Sequence, residues 1–549
     1  MLKNLKIGSR RSDLARLQAQ MVGDKLGCRN YVFKESPGDV NLKDPLWKMP
    51  EMGVFTSFLR KYLISGELDL IVHSWKDLPV ERDPDSEIVC TLARADPRDL
   101  ILYRKSTFPE AIASGKLVVL TSSPRRKHNL PEFLKKCVPG GCESLDIEFR
   151  DVRGNIQTRL SKLVGDQDGF LEDVVTGEKF RADALVVAKA AIDRFLYAGK
   201  SMPEFQETAR FVQSCLDQCF WQVLPLSVNP TAAAQGALAV EMLEIPDNLR
   251  VRSSVKEALN CSPSFKAVNE ERRILHSLGG GCHQKIGCTI LNREWGKVTF
   301  LRGVTDRGSA HLAKAEIDHY KTVPFLRARE LNAIAQIGGK NGLQLFERID
   351  IPNAVETVCE KLEKTPNCAL YVSKHDALPI NFRPPPECPV WTGGVQSWFN
   401  LASRGVWVNG SSDSLGETDP MDVDLLLNRQ HDVEWIKLTH SQAATSKNRN
   451  FREIIPTYEL KLKRDLLLAK IISEIDHKTH FFFSSGSSFQ ALISFVPSLV
   501  EKFKQGEFVA GSGPGNTLDV LRSHLGEDKI IVSYNFSDFV RKVFPPLAT

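Results

Sequence analysis

Leu117-Val118-Val119-Leu120-Thr121-Ser122-Ser123-Pro124-Arg125-Arg126 is the stretch on which the fold turns. Four apolar residues in a row, two of them β-branched, read as a strand buried on both faces. Pro124 suits the first turn of a helix, where its missing N–H costs nothing. A strand, a polar loop and a helix start in ten residues are one unit of an α/β fold. Hydroxyls, helix N–H groups and the pair Arg125 and Arg126 converge in that loop, which outlines an anion site.

The unit recurs on either side. Leu5-Lys6-Ile7 is a short strand, Gly8-Ser9-Arg10-Arg11 a loop, and Ser12 or Asp13 can cap a helix with Leu14, Leu17 and Met21 on one face. In Asp151–Leu160, Arg153 sits in the loop and Arg159 lies about a turn and a half beyond it. Leu68–His73 is β-rich and runs into Trp75-Lys76-Asp77-Leu78-Pro79. Lys76 and Asp77 therefore follow the C-terminal end of a strand, where open α/β sheets bind ligands. Ala184–Ala188 is a further strand. A solvated basic turn accounts for any one of these loops, but three on one chain point to a shared task. Arginine forks bind carboxylates or phosphates bidentately, so the expected ligand is small and polyanionic.

The chain has 549 residues, 42% hydrophobic and 25% charged, which describes a globular protein of several domains. Its net charge of +5 implies no strong general affinity for nucleic acid. The twelve cysteines are scattered. The closest pairs, Cys137/Cys142, Cys215/Cys219 and Cys282/Cys288, lack zinc-ligand spacing, so no metal is expected. Reduced thiols, no apolar leader and no long apolar run suggest a cytoplasmic protein without a membrane span.

Gly279-Gly280-Gly281-Cys282-His283-Gln284-Lys285-Ile286-Gly287 places one sulfur among glycines, which leave no side chains beside it. Something bulky can reach such a sulfur. Asn229–Ala237 is a small-residue loop holding Gln235, and Val298–Val304 is a strand. Beyond about residue 350 the texture changes. Asn367–Ser373, Phe481–Ser484 and Phe508–Ala510 read as buried strands. Ser484-Ser485-Gly486-Ser487-Ser488 and Gly511–Thr517 are small-residue loops entering helices; the latter lacks the Lys-Ser/Thr ending of a P-loop.

Seven stretches, taken in order, give the first ~350 residues a resemblance: SRRSDLARLQA (9–19), VHSWKDLPVE (72–81), RADPRD (94–99), TSSPRR (121–126), VRGNIQTRLSKL (152–163), AQGALAVE (234–241) and GGGCHQKIG (279–287). Together they resemble the porphobilinogen deaminase, or hydroxymethylbilane synthase, family. The resemblance implies two periplasmic-binding-protein-like lobes plus a small α+β third domain. It places domain 1 at 1–95 and 195–240, domain 2 at 96–194 and domain 3 at 241–350. It implies one covalent dipyrromethane per chain, on Cys282, and elongation by four porphobilinogen units with loss of ammonia. Asp77 matches the catalytic carboxylate, with Lys76 beside it. Arg10, Arg125, Arg126, Arg153 and Arg159 match carboxylate-binding positions, and Ser12, Ser123 and Gln235 join them. One departure stands in Glu51-Met52-Gly53, where Met52 replaces the family's loop lysine; Lys48 is nearby. The stretches 165–182 and 196–229 read as surface insertions. A monomer is expected.

The remainder, 351–549, resembles uroporphyrinogen-III synthase through FFFSSGSSFQAL (481–492), Pro456-Thr457-Tyr458 and GSGPGNTLDVL (511–521). That resemblance implies an α/β module of two lobes joined by a β ladder, closing hydroxymethylbilane with inversion of one ring. Its candidate site is Tyr458, Ser484, Ser485 and Thr517. The family's first strand is not evident, and residues 330–375 are its candidate source. Two other readings are an active deaminase with a non-catalytic C-terminal module, and a two-lobed polyanion-binding protein without chemistry.

Overall fold

A computed structural model describes residues 2–35, 57–165, 170–172, 177–279, 285–305, 311–319, 325–339, 342–427, 432–444, 450–463 and 468–544. Its sheets are mixed and parallel, with helices between strands, so the chain is α/β.

The first sheet runs Tyr31–Lys34, Ile7–Arg10, Leu70–Ser74, Leu238–Leu243, Ser86–Cys90. Its first three strands are parallel, and Leu238–Leu243 runs against them. The second runs Cys219–Val223, Asp99–Arg104, Ala184–Ala188, Lys116–Leu120, Asp146–Arg150, with the last three parallel. Ala184–Ala188 is buried along its whole length, as expected of a strand covered on both faces. The third sheet is an antiparallel meander, Gly287–Arg293, Gly296–Val304 and His311–His319, backed by the helix Ser262–Ser277.

Two more sheets follow. Ile334–Ile337, His480–Phe483, Val509–Ser512 and Ile530–Val532 form a four-stranded parallel sheet. The other has six strands, in the order Phe346–Asp350, Glu453–Leu462, Glu434–His440, Cys368–Val372, Val390–Thr392, Gly410–Ser411. Glu453–Leu462 pairs in parallel with Glu434–His440 through its first half and antiparallel with Phe346–Asp350 through its second. This ladder joins the two sheets.

Three expectations are corrected. Ile334–Ile337 and Phe346–Asp350 belong to the C-terminal sheets, so the division at 351 falls inside that module. The former is the first strand that the sequence hid, a four-residue run with too few residues to show a period. The division at 195 fails similarly, because Cys219–Val223 pairs with Asp99–Arg104 in the second sheet. The stretch 196–229 is also no surface insertion: the helix Gln206–Asp217 and that strand bury Val212, Cys215, Leu216, Trp221 and Val223. In contrast, the hairpin Phe170–Glu172 and Lys179–Arg181 lies at the surface, with Phe170 62% exposed.

The second sheet and the six-stranded sheet share apolar cores. Phe133 packs on Trp398 and Phe399, with ring centroids at 5.2 and 5.7 Å. Trp407 meets Tyr103, Phe108 and Phe220 at 5.4, 5.6 and 5.0 Å. The indole N–H of Trp398 donates to the Cys137 carbonyl at 2.8 Å, and the Val223 amide donates to the Asn409 carbonyl at 2.8 Å. Further along the same C-terminal segment, Arg98 donates to the Met421 carbonyl at 3.0 Å, and Arg293 to the Asp419 carboxylate at 2.6 Å.

Candidate functional site

The strand Leu70–Ser74 buries Leu70, Ile71 and Val72 and breaks into the single turn Trp75–Asp77. Trp75 is buried against Phe265, with centroids 5.4 Å apart, and anchors that turn. Lys76 is left half-buried and Asp77 exposed. The Lys76 ammonium donates to Gln235 Oε1 at 3.2 Å. Gln235 lies between Ala234, at φ 69°, and Gly236, at φ 87°. Alanine in the left-handed region costs about 1–2 kcal/mol. The buried Glu271 carboxylate holds that turn, accepting from the Ala234 amide at 2.7 Å and from both Arg94 terminal nitrogens.

Across the junction, Asp99 opens the first strand of the second lobe, wholly buried. Its carboxylate accepts from Arg125 at 2.9 Å, from Arg126 Nε and Nη2 at 3.0 and 2.6 Å, from Asn229 at 2.8 Å and from Gln235 at 2.8 Å. Burial pushes this carboxyl up, but Arg126 and Arg125, with the hydrogen bonds from Arg126 and Gln235, outweigh it and hold it well below the carboxylate range.

Arg125 and Arg126, expected at carboxylate-binding positions, both turn onto protein acceptors. Arg125 Nη1 donates to Asn229 Oδ1 and the Pro230 carbonyl, at 2.7 and 2.8 Å, and Arg126 Nη1 to the Val186 carbonyl at 2.8 Å. Both guanidiniums are buried and turned onto protein acceptors, because Asp99 lies within the core beneath them. Ser123 precedes the short helix Pro124–Asn129 without a side-chain capping bond. It is Ser122 that donates to the Val152 carbonyl, at 2.7 Å, joining two of the loops.

Lys76, Asp77, Arg126, Arg153 and Arg159 interact electrostatically at the C-terminal ends of parallel strands. Burial, opposed by Asp77 and reinforced by Arg126 and Arg159, pulls the Lys76 ammonium down to about 8. Burial, with Arg126 and Arg153 against Asp77, pulls Arg159 down to about 10. Positive charge is crowded there, and a polyanionic ligand would relieve it. Arg10 ends the strand Ile7–Arg10 at the same edge of the first sheet, and Ser12 starts the helix Asp13–Leu26 with no capping bond from its hydroxyl. Asp13, on that helix, accepts from Gln157 at 2.8 Å and so ties the first lobe to the helix carrying Arg159.

Cys282, like Met52 and Lys48, lies outside the described residues. Its described flank comes to this same junction: the Cys288 amide donates to the Thr231 carbonyl at 2.9 Å, and a Cβ on Gly287 would stand 3.0 Å from Arg125 Cδ.

In the C-terminal module, Tyr458 sits where Glu453–Leu462 passes from one pairing to the other, opposite both Asp350 and His440. Its ring lies 5.7 Å from that of His440, and the Arg348 guanidinium stands 5.1 Å from its centroid. Burial, aided by Asp376 and opposed by Arg348, pushes the phenol up to about 12. Burial, then Lys374 and Lys437, pull His440 down to about 4, so it is neutral at pH 7. Ser484, Ser485 and Thr517 lie on the other sheet. Ser484 accepts from Gln336 at 3.0 Å, and Ser485 caps the helix Gly486–Phe495 through the Ser488 amide at 3.2 Å, a structural use of that hydroxyl. Thr517 lies in the first turn of Asn516–Leu525. The C-terminal edges of the two sheets meet at Gly416 and Gly515, at φ 103° and 92°, where a Cβ on either would stand 3.0 Å from the other's Cα. Only glycine accepts that backbone and that approach.

Asp99, Glu271, Arg348 and His440 were not singled out from sequence. Asp99 stands in the quoted RADPRD stretch, but nothing local to it announces two arginines from elsewhere. Among the described residues, no group of three His, Cys, Asp or Glu is arranged to hold a metal ion, and no helix is long and apolar enough to cross a membrane.

Residues 5–250 match the family model "Porphobilinogen deaminase, dipyromethane cofactor binding domain". The porphobilinogen deaminase of Acidothermus cellulolyticus is 33% identical over 292 residues, covering 52% of this chain and 75% of that protein. The one from Caldicellulosiruptor saccharolyticus is 30% identical, covering 52% and 84%, and the one from Desulfitobacterium hafniense 31%, covering 53% and 81%. Among solved structures, the uroporphyrinogen III synthase of Thermus thermophilus aligns over 36% of this chain and 90% of its own, at 10% identity and a TM-score of 0.21. With a cleft of crowded cations and these relatives in view, the chain belongs to the porphobilinogen deaminase family, the dipyrromethane-dependent enzymes of tetrapyrrole biosynthesis that make hydroxymethylbilane.

Proposed function

We propose that Asp77 is the catalytic carboxylate, that Lys76, Arg153 and Arg159, with Arg10, hold the acetate and propionate groups of the pyrroles, and that Cys282 carries the dipyrromethane through a thioether. The bound dipyrromethane supplies the nucleophilic pyrrole end on which the chain grows. Asp77 is exposed beside half-buried cations. Its carboxylate can accept pyrrole N–H protons and stabilise the cation left when ammonia departs. Lys76 and Arg159, partly stripped of water, bind a carboxylate more strongly than solvated cations do. Arg125 and Arg126 act from behind, by fixing the floor of the cleft. The observation that carries this reading is the grouping of Lys76 and Arg159 with Asp77, with Arg126 next to both cations and Arg153 next to Arg159. Intact mass of the purified full chain tests the cofactor: it should exceed the sequence mass by two pyrrole units, and Cys282→Ser should remove the excess. An unmodified chain with full activity defeats the assignment.

The C-terminal module, in the same proposal, closes hydroxymethylbilane to uroporphyrinogen III. Support comes from the meeting of C-terminal strand ends from the two sheets at Gly416 and Gly515, since such ends are where α/β folds bind ligands. Tyr458, on the ladder between them, is the candidate donor to the departing hydroxyl, with Arg348 and His440 beside it. Feeding porphobilinogen to the full chain tests this: the type III isomer as main product supports the activity, and type I alone overturns it.

A further inference from the structure

We propose that Asp99 and Gln235 are positioning residues of the deaminase cleft: the Gln235 amide, locked by the buried Asp99 carboxylate, holds the Lys76 ammonium in place across the junction of the first two lobes. The inference rests on the reading of Lys76 given above. Asp99 has five hydrogen-bond donors around it, from Arg125, twice from Arg126, from Asn229 and from Gln235. Four of these neutralise and fix the arginine pair, a task that needs no glutamine. The fifth leads outward. Gln235 Nε2 donates to Asp99 Oδ1 at 2.8 Å and to the Pro97 carbonyl at 2.7 Å, while its Oε1 accepts from Lys76 at 3.2 Å.

Only one amide orientation satisfies both ends. Turned over, the carbonyl would face the carboxylate and the NH₂ would face the ammonium, two repulsive contacts in a buried place. The side chain is therefore a fixed dipole between a negative and a positive charge, and each end strengthens the hydrogen bond at the other. The link joins lobes as well as charges. Lys76 follows a strand of the first sheet, Asp99 opens a strand of the second, and Gln235 lies on the connection returning from the second to the first.

The charged groups that act on Lys76 are Asp77, Arg126, Asp99 and Arg159. Two of them are cations that drive its proton away, and Asp77 and Asp99 oppose them. Removing the amide carbonyl takes away the ammonium's neutral acceptor, while Arg126 and Arg159 remain to drive the proton away. The proton should then leave at lower pH.

The test uses the full-length holoenzyme. Wild-type and Gln235→Met proteins are acylated with acetic anhydride at a series of pH values, and Lys76 modification is quantified by peptide mass spectrometry. The midpoint should fall in Gln235→Met by about one pH unit, a tenfold change in proton affinity. Turnover of porphobilinogen near pH 8 should fall severalfold, and its alkaline limb should move down with the midpoint. Asp99→Asn should shift the midpoint in the same direction. Gln235→Ala, with room for water, replaces Gln235→Met if the latter does not fold. An unchanged Lys76 midpoint in a folded Gln235 variant overturns the proposal, whatever happens to activity. A fallen midpoint together with a fully active Lys76→Met protein would leave the positioning intact and reject the role given to Lys76 in turnover.

Discussion

The two clefts of this chain are built from different materials. In the deaminase cleft, one buried carboxylate gathers two arginines, an asparagine and a glutamine, and further cations stand around an exposed Asp77. In the C-terminal cleft the central feature is a phenol on a ladder, flanked by a neutral imidazole and one guanidinium over its ring. The first arrangement suits holding a polyanion that gains charge at every step. The second places one buried phenol beside a single guanidinium. The two regions also differ in support: the first draws residues from two sheets and the connection between them, while the second lies where one pair of sheets meets.

The sharpest way to break the contrast is Asp77→Ala. If a single exposed carboxylate does the proton work, ammonia release should fall about 10²- to 10⁴-fold, the usual contribution of a positioned acid–base group, while the melting temperature stays near that of the wild type. Wild-type rates would remove the chemical role from that cleft. Next comes the shared core. Trp398→Ala should cost about 3–5 kcal/mol in denaturant unfolding, as removal of a buried indole does, and the wild-type chain should lose both activities in one transition. Two well-separated transitions would mean that the clefts sit on independent bodies despite the packing of Phe133 on Trp398.

Tyr458→Phe is expected to act more gently. Loss of one hydrogen bond is worth about 0.5–1.5 kcal/mol, so the product should shift only part of the way toward the type I isomer. An unchanged isomer ratio would leave the second cleft without its proposed donor. The smallest effect is on pH dependence. A Lys76 ammonium with a pKa of about 8 is charged below that pH and loses its charge above it. Porphobilinogen turnover should therefore decline as pH rises through about 8, severalfold and reversibly, and Lys76→Arg should flatten that limb. A limb that persists in Lys76→Arg would assign the titration to another group.

Much of the first cleft could be read from the residues in order. VHSWKDLP and TSSPRR each carry a strand, a break and a charge in one short run, so local chemistry places Lys76 and Asp77 past a strand end. Ile334–Ile337 shows the opposite case. Four residues, three of them apolar, have no period of their own, and only pairing with His480–Phe483, almost 150 residues later, makes them the edge of a sheet. The stretch 196–229, which reads as a surface insertion, is core: the helix Gln206–Asp217 packs on the helices Lys189–Ser201 and Ile156–Val164, contacts that reach residues outside the stretch itself.

The residues alone determined the α/β class and the basic character of the strand-end loops, because strand, turn and helix signals act over a few neighbours, while Asp77 and Cys282 became candidates through the seven stretches that resemble the family. The tertiary structure decided what Arg125 and Arg126 do. Their side chains can face a ligand or the core, and nothing in TSSPRR distinguishes the two. The choice is made by Asp99, twenty-six residues from Arg125, whose buried charge needs a cationic partner. A desolvated charge is paired by whatever the fold brings within reach, and reach through space is the quantity that a linear sequence does not contain.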